Sequence, residues 1–387
     1  MTSDEERFFA VLCNSSENGV KARKGLIRTD HSMIETPVFM PVGTLGTVKA
    51  MEQRELVDAN AGIILGNTYH LFLRPGMEVM SNACGLHSFM NWNRSILTDS
   101  GGFQIFSLAK FKKTREEGVE FSSHLSGEKF FLTPEKVVDI QRVIGSDIMM
   151  PLDECLPGNE EKTVFEKSVR LTSSWEKRCL DQFKNTEPAY SHKQFLFSIC
   201  QGGIHKDLRR QSINDLAFLD FDGNAIGGLA VGEKAELMYE TVDFCTNLLP
   251  AEKPRYLMGV GTPLDILQCV ERGIDMFDCV LPTRNARHGK LYTTYGEINL
   301  KSAKHKNCFE SPDTECKSYT SENFSLAYLR HLFICNEILG IQLATIHNIS
   351  FYLKLMENIR ESIAKGCFLN FKKEFESKYC SKSDNNN

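Results

Sequence analysis

Eight short apolar runs, each stopping at a glycine, an acid or an amide, set the tightest limit on what this chain can fold into. They are TPVFMPVG ending at Gly43, GIILGN at Asn67, SILTDSGG with its stop at Asp99, DIMMPLD at Asp153, FLFSICQGG with its stop at Gln201, GNAIGG at Gly228, RYLMGVG at Gly259 and MFDCVLP around Asp278. Continuous runs of Val, Ile, Leu, Phe and Met suit strands covered on both faces, which is the condition of a parallel sheet. Helix starts lie between several of them. Thr133-Pro134-Glu135 opens a stretch carrying Val137, Val138, Ile140 and Val143, and Thr262-Pro263 opens another through Ile266, Val270 and Ile274. The pattern predicts an α/β chain folded as a (β/α)8 TIM barrel, in which the polar stops converge on one mouth at the C-terminal ends of the strands. An open doubly wound sheet is the alternative, but no GxGxxG sits at a first βα turn to favour it.

At 387 residues the chain is long enough for one large domain with a small appendage. We place the barrel and its active site at 1–294. An inserted small subdomain follows at 295–350, where NCFESPDTECKSYTSEN breaks the rhythm before SLAYLRHLFICNEILG resumes helical spacing. A helical segment at 351–378 carries the stripe Leu355, Ile359 and Ile363, which core packing or a subunit contact explains, and 379–387 is a polar tail expected to fray. The N-terminus has acids where a signal peptide needs basic residues, and no run of 18 apolar residues follows, so a cytoplasmic protein without a membrane partner is expected. Thirteen scattered cysteines form no paired framework and read mostly as reduced core residues. A net charge of -5 argues against non-specific coating of nucleic acid, and no DNA partner is expected. Even so, Arg284, Arg287, Lys290, Lys301, Lys304 and Lys306 face a single acid, Glu297, in one stretch that is either a solvated loop or a polyanion site.

Asp99 stands in LTDSGGFQ, an acid at a strand end followed by glycines that let backbone approach a ligand; a turn aspartate or helix N-cap has the same signature. Asp278 lies inside an apolar run, where an ionised side chain is expensive unless it points into a site. Two carboxylates at one barrel mouth suggest glycosidic chemistry, one attacking the anomeric carbon and the other handling protons. Asp153, Gln201 and the Gly228 amide could together read a purine edge, and Phe103 and Met258 could sandwich a flat base. Loop hydrogen bonding and barrel-top packing are the structural alternatives for these five.

LTDSGGFQ, DIMMPLDEC, CQGG, GNAIGGLAVGE, RYLMGVG, FDCVLPTRNARHG and AYLRHLF, in this order and across nearly the whole chain, resemble the tRNA-guanine transglycosylases. The resemblance implies a (β/α)8 barrel with an inserted zinc-binding subdomain. It implies a glycosyltransferase that exchanges guanine at the wobble position of tRNAs with GUN-type anticodons for a 7-deazaguanine base, in queuosine biosynthesis. It makes Asp278 the nucleophile that forms a covalent tRNA–enzyme intermediate and Asp99 the general acid/base. Ser100, Gly101, Gly102, Phe103, Asp153, Gln201, Gly228, Leu229, Glu233 and Met258 would bind the base, with Glu233 and the Leu229 carbonyl receiving an aminomethyl group. Gly259, Val260, Gly261, Thr262, Pro263, Leu264 and Asp265, together with Thr283, Arg284, Asn285, Ala286 and Arg287, would hold the anticodon loop. No organic cofactor is implied. Cys155 and Val231 match the bacterial type, a homodimer that takes 7-aminomethyl-7-deazaguanine; direct use of queuine and a heteromeric assembly stay open.

One departure stands out. The family's zinc pattern, Cys-x-Cys-x-x-Cys with a later His, here keeps Cys316 and His347 and has Ser318 and Ser321 at the other two positions. A neutral hydroxyl is a poor zinc ligand, which argues against zinc and for a subdomain held by apolar contacts. The loss also admits a non-catalytic homologue that binds RNA or a partner, although both catalytic carboxylates are retained. An unrelated nucleosidase barrel would leave PTRNARHG unexplained.

Overall fold

A computed structural model describes residues 7–108 and 111–381. Its centre is a ring of eight parallel strands: β1 (Val38–Met40), β2 (Ile63–Asn67), β3 (Ser95–Asp99), β4 (Ile148–Met149), β5 (Phe195–Cys200), β6 (Gly223–Ile226), β7 (Arg255–Leu257) and β8 (Met276–Asp278). Pairing runs β1-β8-β7-β6-β5-β4-β3-β2, and a parallel bridge between Val42 and Leu65 joins the two remaining edges. All eight apolar runs are barrel strands, as the sequence predicts. Several strands stop a few residues before the polar residue that marked them, so that Gly43 and Asp153 sit on loops above the mouth.

Alternation along the strands divides the core in two. Val38, Met40, Ile63, Leu65, Leu97, Ile148, Phe197, Ile199, Ala225, Tyr256 and Met276 fill the barrel interior as one cluster. Their neighbours Phe39, Ile64, Ile96, Met149, Leu196, Cys200, Ile226, Leu257 and Phe277 face the helices. This is the layering expected when every strand is covered on both faces. The two predicted helices, Pro134–Ile144 and Pro263–Glu271, both start on a proline with the preceding threonine as cap: Thr133 and Thr262 each accept the amide three residues on.

Two three-stranded antiparallel sheets and one antiparallel hairpin escape the reading of the sequence. Strands Phe9–Asn14, Arg23–Arg28 and Met33–Thr36 close the base of the barrel, with Phe9, Ile27 and Ile34 in the interior cluster and Arg23 paired to Asp275 at 2.6 Å. Strands Lys112–Arg115, Gly118–Ser122 and Lys129–Leu132 form a small sheet between β3 and β4. Two of the expected domain boundaries fall within structural elements. Residue 294 lies in the turn between the paired strands Lys290–Thr293 and Gly296–Asn299, and residue 350 lies within one continuous helix, Ile338–Ala364. That helix buries Leu355, Ile359 and Ile363 against the barrel, so the stripe is core, and cutting it would expose one apolar face on both sides of the cut. The last helix, Phe368–Cys380, takes in the first residues assigned to the tail, with Tyr379 buried; 382–387 lie outside the described residues. The buried Cys179, Cys200, Cys245, Cys269, Cys279 and Cys316 are free thiols.

Candidate active site

Asp99 closes β3 directly beside Asn67, its register partner at the end of β2. Asn67 Nδ2 donates to Asp99 Oδ2 at 2.6 Å, the Thr68 amide to Oδ1 at 3.2 Å and Gln104 Nε2 to Oδ2 at 3.2 Å. Asn67 Oδ1 meanwhile caps the helix Thr68–Leu73 by accepting the His70 amide, so the residue that starts the helix also positions the acid. Burial pushes the Asp99 carboxyl up to about 7; the Thr68 amide opposes the rise, and the nearby carboxylates of Asp278 and Asp153 add to it. A carboxyl poised near neutrality can take up or release a proton during a reaction.

Asp278 ends β8. Tyr256 from β7 donates its hydroxyl at 2.6 Å and the Gly259 amide donates at 2.7 Å, both to Asp278 Oδ1. Burial raises the Asp278 carboxyl as well, against these two donors. Two donors on one oxygen fix the rotamer of the carboxylate and favour its ionised form without engaging Oδ2 in the same bonds.

A third carboxylate is organised differently. Gln201 Nε2 donates to Asp153 Oδ2 at 2.7 Å and Ser100 Oγ to Oδ1 at 3.3 Å, while the Gly102 amide donates to Ser100 Oγ at 3.3 Å. Burial lifts Asp153 to about 6 against the pull of Gln201 and Ser100. Gly102 packs so closely here that a Cβ would stand 2.6 Å from the Asp153 carbonyl, and a Cβ on Gly228, at φ +64°, would run into Gln201 Oε1. Gly101, at φ +82°, abuts Tyr69. The glycines thus mark positions where backbone must pass close to the polar cluster. Phe103 is exposed on the first turn of the helix Gly102–Leu108, and Met258 follows β7 half-buried against the interior cluster. Leu229 is buried, and Glu233 accepts the Ala230 and Val231 amides, folding the loop after β6 back on itself.

The stretch Gly259–Asp265 forms the β7 loop and the start of the next helix. Gly259 is exposed at the rim, Val260 and Pro263 are packed inward, and Asp265 accepts from the Thr262 and Tyr239 hydroxyls. Thr283–Arg287 lies on the short helix Leu281–Arg287 immediately after Asp278. There Arg284 is exposed, Asn285 donates to the Tyr292 hydroxyl at 2.6 Å, Ala286 and Thr283 are buried, and Arg287 holds Nη1 buried without a hydrogen-bond partner. A buried guanidinium N–H left unpaired suits an acceptor delivered from outside, such as a phosphate or a base edge. Beyond the helix, Lys290 pairs with Glu297 at 2.5 Å, while Lys301 and Lys306 are exposed.

The four positions of the zinc pattern do meet in the subdomain, all of them buried. Ser318 Oγ lies 3.1 Å from His347 Nδ1, and His347 Nε2 is 2.9 Å from the Tyr292 carbonyl, so both ring nitrogens are engaged. Ser318 and Ser321 cap each other's backbone amides, and Ser321 Oγ donates to the Cys316 carbonyl at 2.7 Å. Burial pushes the Cys316 thiol up to about 12, away from the thiolate that a zinc ligand needs. One thiol, one imidazole and two hydroxyls engaged with each other do not fit Zn²⁺, and hydrogen bonds rather than apolar contact alone occupy this corner.

Reading the sequence missed Tyr256, Asn67, Gln104 and Ser100's link to Asp153. A tyrosine in RYLMGVG resembles any core aromatic, and its role appears only once β7 lies beside β8. Asn67 had a signal, since it is a strand-end stop followed by a helix. Among the described residues, no helix is long and apolar enough to cross a membrane.

Residues 18–381 match the family model described as queuine tRNA-ribosyltransferase. The queuine tRNA-ribosyltransferase of Caldanaerobacter subterraneus subsp. tengcongensis is 55% identical over 359 residues, covering 93% of this chain and 94% of that protein. The protein of that name from Thermoanaerobacter sp. is 54% identical over 363 residues, covering 94% and 96% of the two chains, and that of Bacillus subtilis is 52% identical over 358 residues, covering 92% and 93%. With the family spanning the barrel, the strand-end carboxylates and the subdomain alike, this chain belongs to the queuine tRNA-ribosyltransferases, the tRNA-guanine transglycosylases.

Proposed function

We propose that this enzyme exchanges guanine at the wobble position of tRNAs with GUN-type anticodons for 7-aminomethyl-7-deazaguanine, as a cytoplasmic homodimer acting in queuosine biosynthesis. The observation that supports it most is the unequal setting of the two strand-end carboxylates. Asp278 has one oxygen fixed by Tyr256 and Gly259, whereas Asp99 is poised near neutrality among amide donors.

In this reading Asp278 attacks C1′ of the ribose, and the glycosidic bond breaks with its electron pair leaving on guanine. Asp99 supplies the proton that guanine takes up. The incoming base then gives a ring N–H proton to Asp99, attacks C1′ and displaces the Asp278 carboxylate. Two displacements at one carbon retain its configuration and give ping-pong kinetics, and one glycosidic bond replaces another without ATP. Asp153 would accept from the ring and exocyclic N–H groups, and Gln201 and the Gly228 amide would donate to the carbonyl. Phe103 and Met258 would stack on the two faces. Glu233 and the Leu229 carbonyl would receive the aminomethyl group. The loop after β7 and the helix carrying Arg284 and Arg287 would hold the anticodon loop, whose unstacked bases can be splayed into a pocket. The exposed apolar residues Tyr319, Ile334 and Ile338 on the subdomain side support a subunit contact.

Incubation with tRNA and labelled guanine tests the reading. Label entering tRNA is expected, with 7-aminomethyl-7-deazaguanine competing better than queuine. Release of free base without incorporation would point to a hydrolase, and neither outcome would leave a binding protein.

A further inference from the structure

Behind the loops that carry Gln201 and Gly228 stands one guanidinium that holds both. Arg209 lies on the helix Lys206–Leu216, which packs against β5, and its side chain is wholly inaccessible. Nε donates to the Gly203 carbonyl at 2.8 Å, Nη1 to the Cys200 carbonyl at 2.5 Å and Nη2 to the Gly227 carbonyl at 2.8 Å. Cys200 and Gly203 bracket Gln201 at the end of β5, and Gly227 immediately precedes Gly228 after β6. The three nitrogens of one planar fork therefore fix the distance between the two loops.

The same helix takes hold of Gln201 a second time. Ser212, also buried, accepts the Gln201 amide at 3.1 Å. The Cys200 carbonyl accepts the Gly227 amide at 3.1 Å as well, which joins the loops directly. The packing leaves little slack: a Cβ on Gly202 would stand 3.0 Å from the Arg209 amide nitrogen, and one on Gly227 2.7 Å from Gln201 Nε2. A buried charge is costly unless it is fully hydrogen-bonded, and the rigid fork of an arginine meets carbonyls in directions that the compact ammonium of a lysine does not reproduce. A cation that substrate cannot touch, bonded to the carbonyls on either side of one base-reading group and beside the other, acts through placement.

The geometry points to Arg209 and Ser212 as positioning residues that set the spacing between the Gln201 carboxamide and the Gly228 amide, and with it the preference of the pocket for a purine carbonyl. The inference rests on the reading of Gln201 and Gly228 as donors to that carbonyl. Two donors converge on one oxygen only when their separation is held to about 0.5 Å, and neither loop ends in a strand or helix that would hold it alone.

The test uses the full-length protein in exchange of labelled guanine into tRNA, with 6-thioguanine as the competing probe. That probe keeps the ring and exocyclic N–H groups that Asp153 would accept and replaces the carbonyl oxygen by a weakly accepting sulfur. Wild type should prefer guanine. Arg209→Lys should raise the KM for guanine about tenfold, change the Ki for 6-thioguanine less than about twofold and leave the KM for tRNA unchanged. Ser212→Ala, a smaller change that leaves the fork intact, should shift the same preference in the same direction by about threefold, and it carries the test should Arg209→Lys not fold. Gln201→Leu should erase the preference. If Gln201→Leu erases it while the Arg209 and Ser212 variants keep it, or lose both purines equally, the positioning role is overturned and the base reading stands. If Gln201→Leu keeps the preference, the base reading falls and this inference falls with it.

Discussion

Asp99 and Asp278 influence each other through their charges, so altering one should be measurable at the other. The Asp278 carboxylate helps raise Asp99, and its conversion to the neutral amide in Asp278→Asn should lower the Asp99 pKa from about 7, as read by carboxyl ¹³C NMR titration. An unmoved Asp99 would contradict the coupling. In the proposed mechanism, Asp99 must be ionised to accept a proton from the incoming base. The kcat/KM for that base should therefore fall as pH drops through about 7. The same shift has a consequence for stability. An unfolded aspartate ionises near about pH 4, whereas folded Asp99 keeps its proton up to about 7. Across that window the folded state binds the extra proton, so this contribution to stability is full at acid pH and is lost as pH rises through about 7. Asp278→Asn should flatten that decline in Tm. Both acids were legible in the sequence because each interrupts or ends an apolar run. Tyr256 was not, because a strand tyrosine looks like core until its neighbour strand is known.

At the scale of elements, the start of the helix Gly102–Leu108 is pressed against the loop bearing Asp153. Gly102→Ala would drive a methyl group to 2.6 Å from the Asp153 carbonyl and 2.8 Å from Asp153 Oδ1, forcing the cluster with Ser100 and Gln201 apart. We expect a KM for the base raised about tenfold or more with little loss of Tm, checked by exchange kinetics beside thermal melts. The strands and the two proline-initiated helices could be read from apolar runs and capping residues because both signals are local. The two three-stranded antiparallel sheets could not. Their strands are short, partly exposed and mixed in polarity, and only pairing across the barrel base or over the β3–β4 connection gives them a face to bury. The expected boundary at 350 falls within an element for a related reason: a change in composition suggested a border where the helix Ile338–Ala364 runs on.

For the whole molecule, the N-terminal sheet is fastened to the barrel by one nearly inaccessible ion pair. Arg23 Nε and Nη2 donate to both oxygens of Asp275 at 2.9 and 2.6 Å, and Asp275 also accepts the Arg255 amide at 2.7 Å. Arg23→Met leaves that carboxylate buried without its cation and should destabilise the fold by roughly 3–5 kcal/mol in denaturant unfolding, while the native fraction keeps its exchange activity. A loss below about 1 kcal/mol would mean that the sheet is not anchored there. This division of labour, with the closed base serving stability and the open mouth serving chemistry, follows from the barrel itself. The central claim concerns the mouth and rests on Asp278 as the nucleophile. Its most direct test is trapping the tRNA–enzyme adduct on a denaturing gel. Wild type should give a covalent band that disappears when excess base is added, and Asp278→Ala should give neither band nor exchange. An adduct that persists in Asp278→Ala would contradict the account.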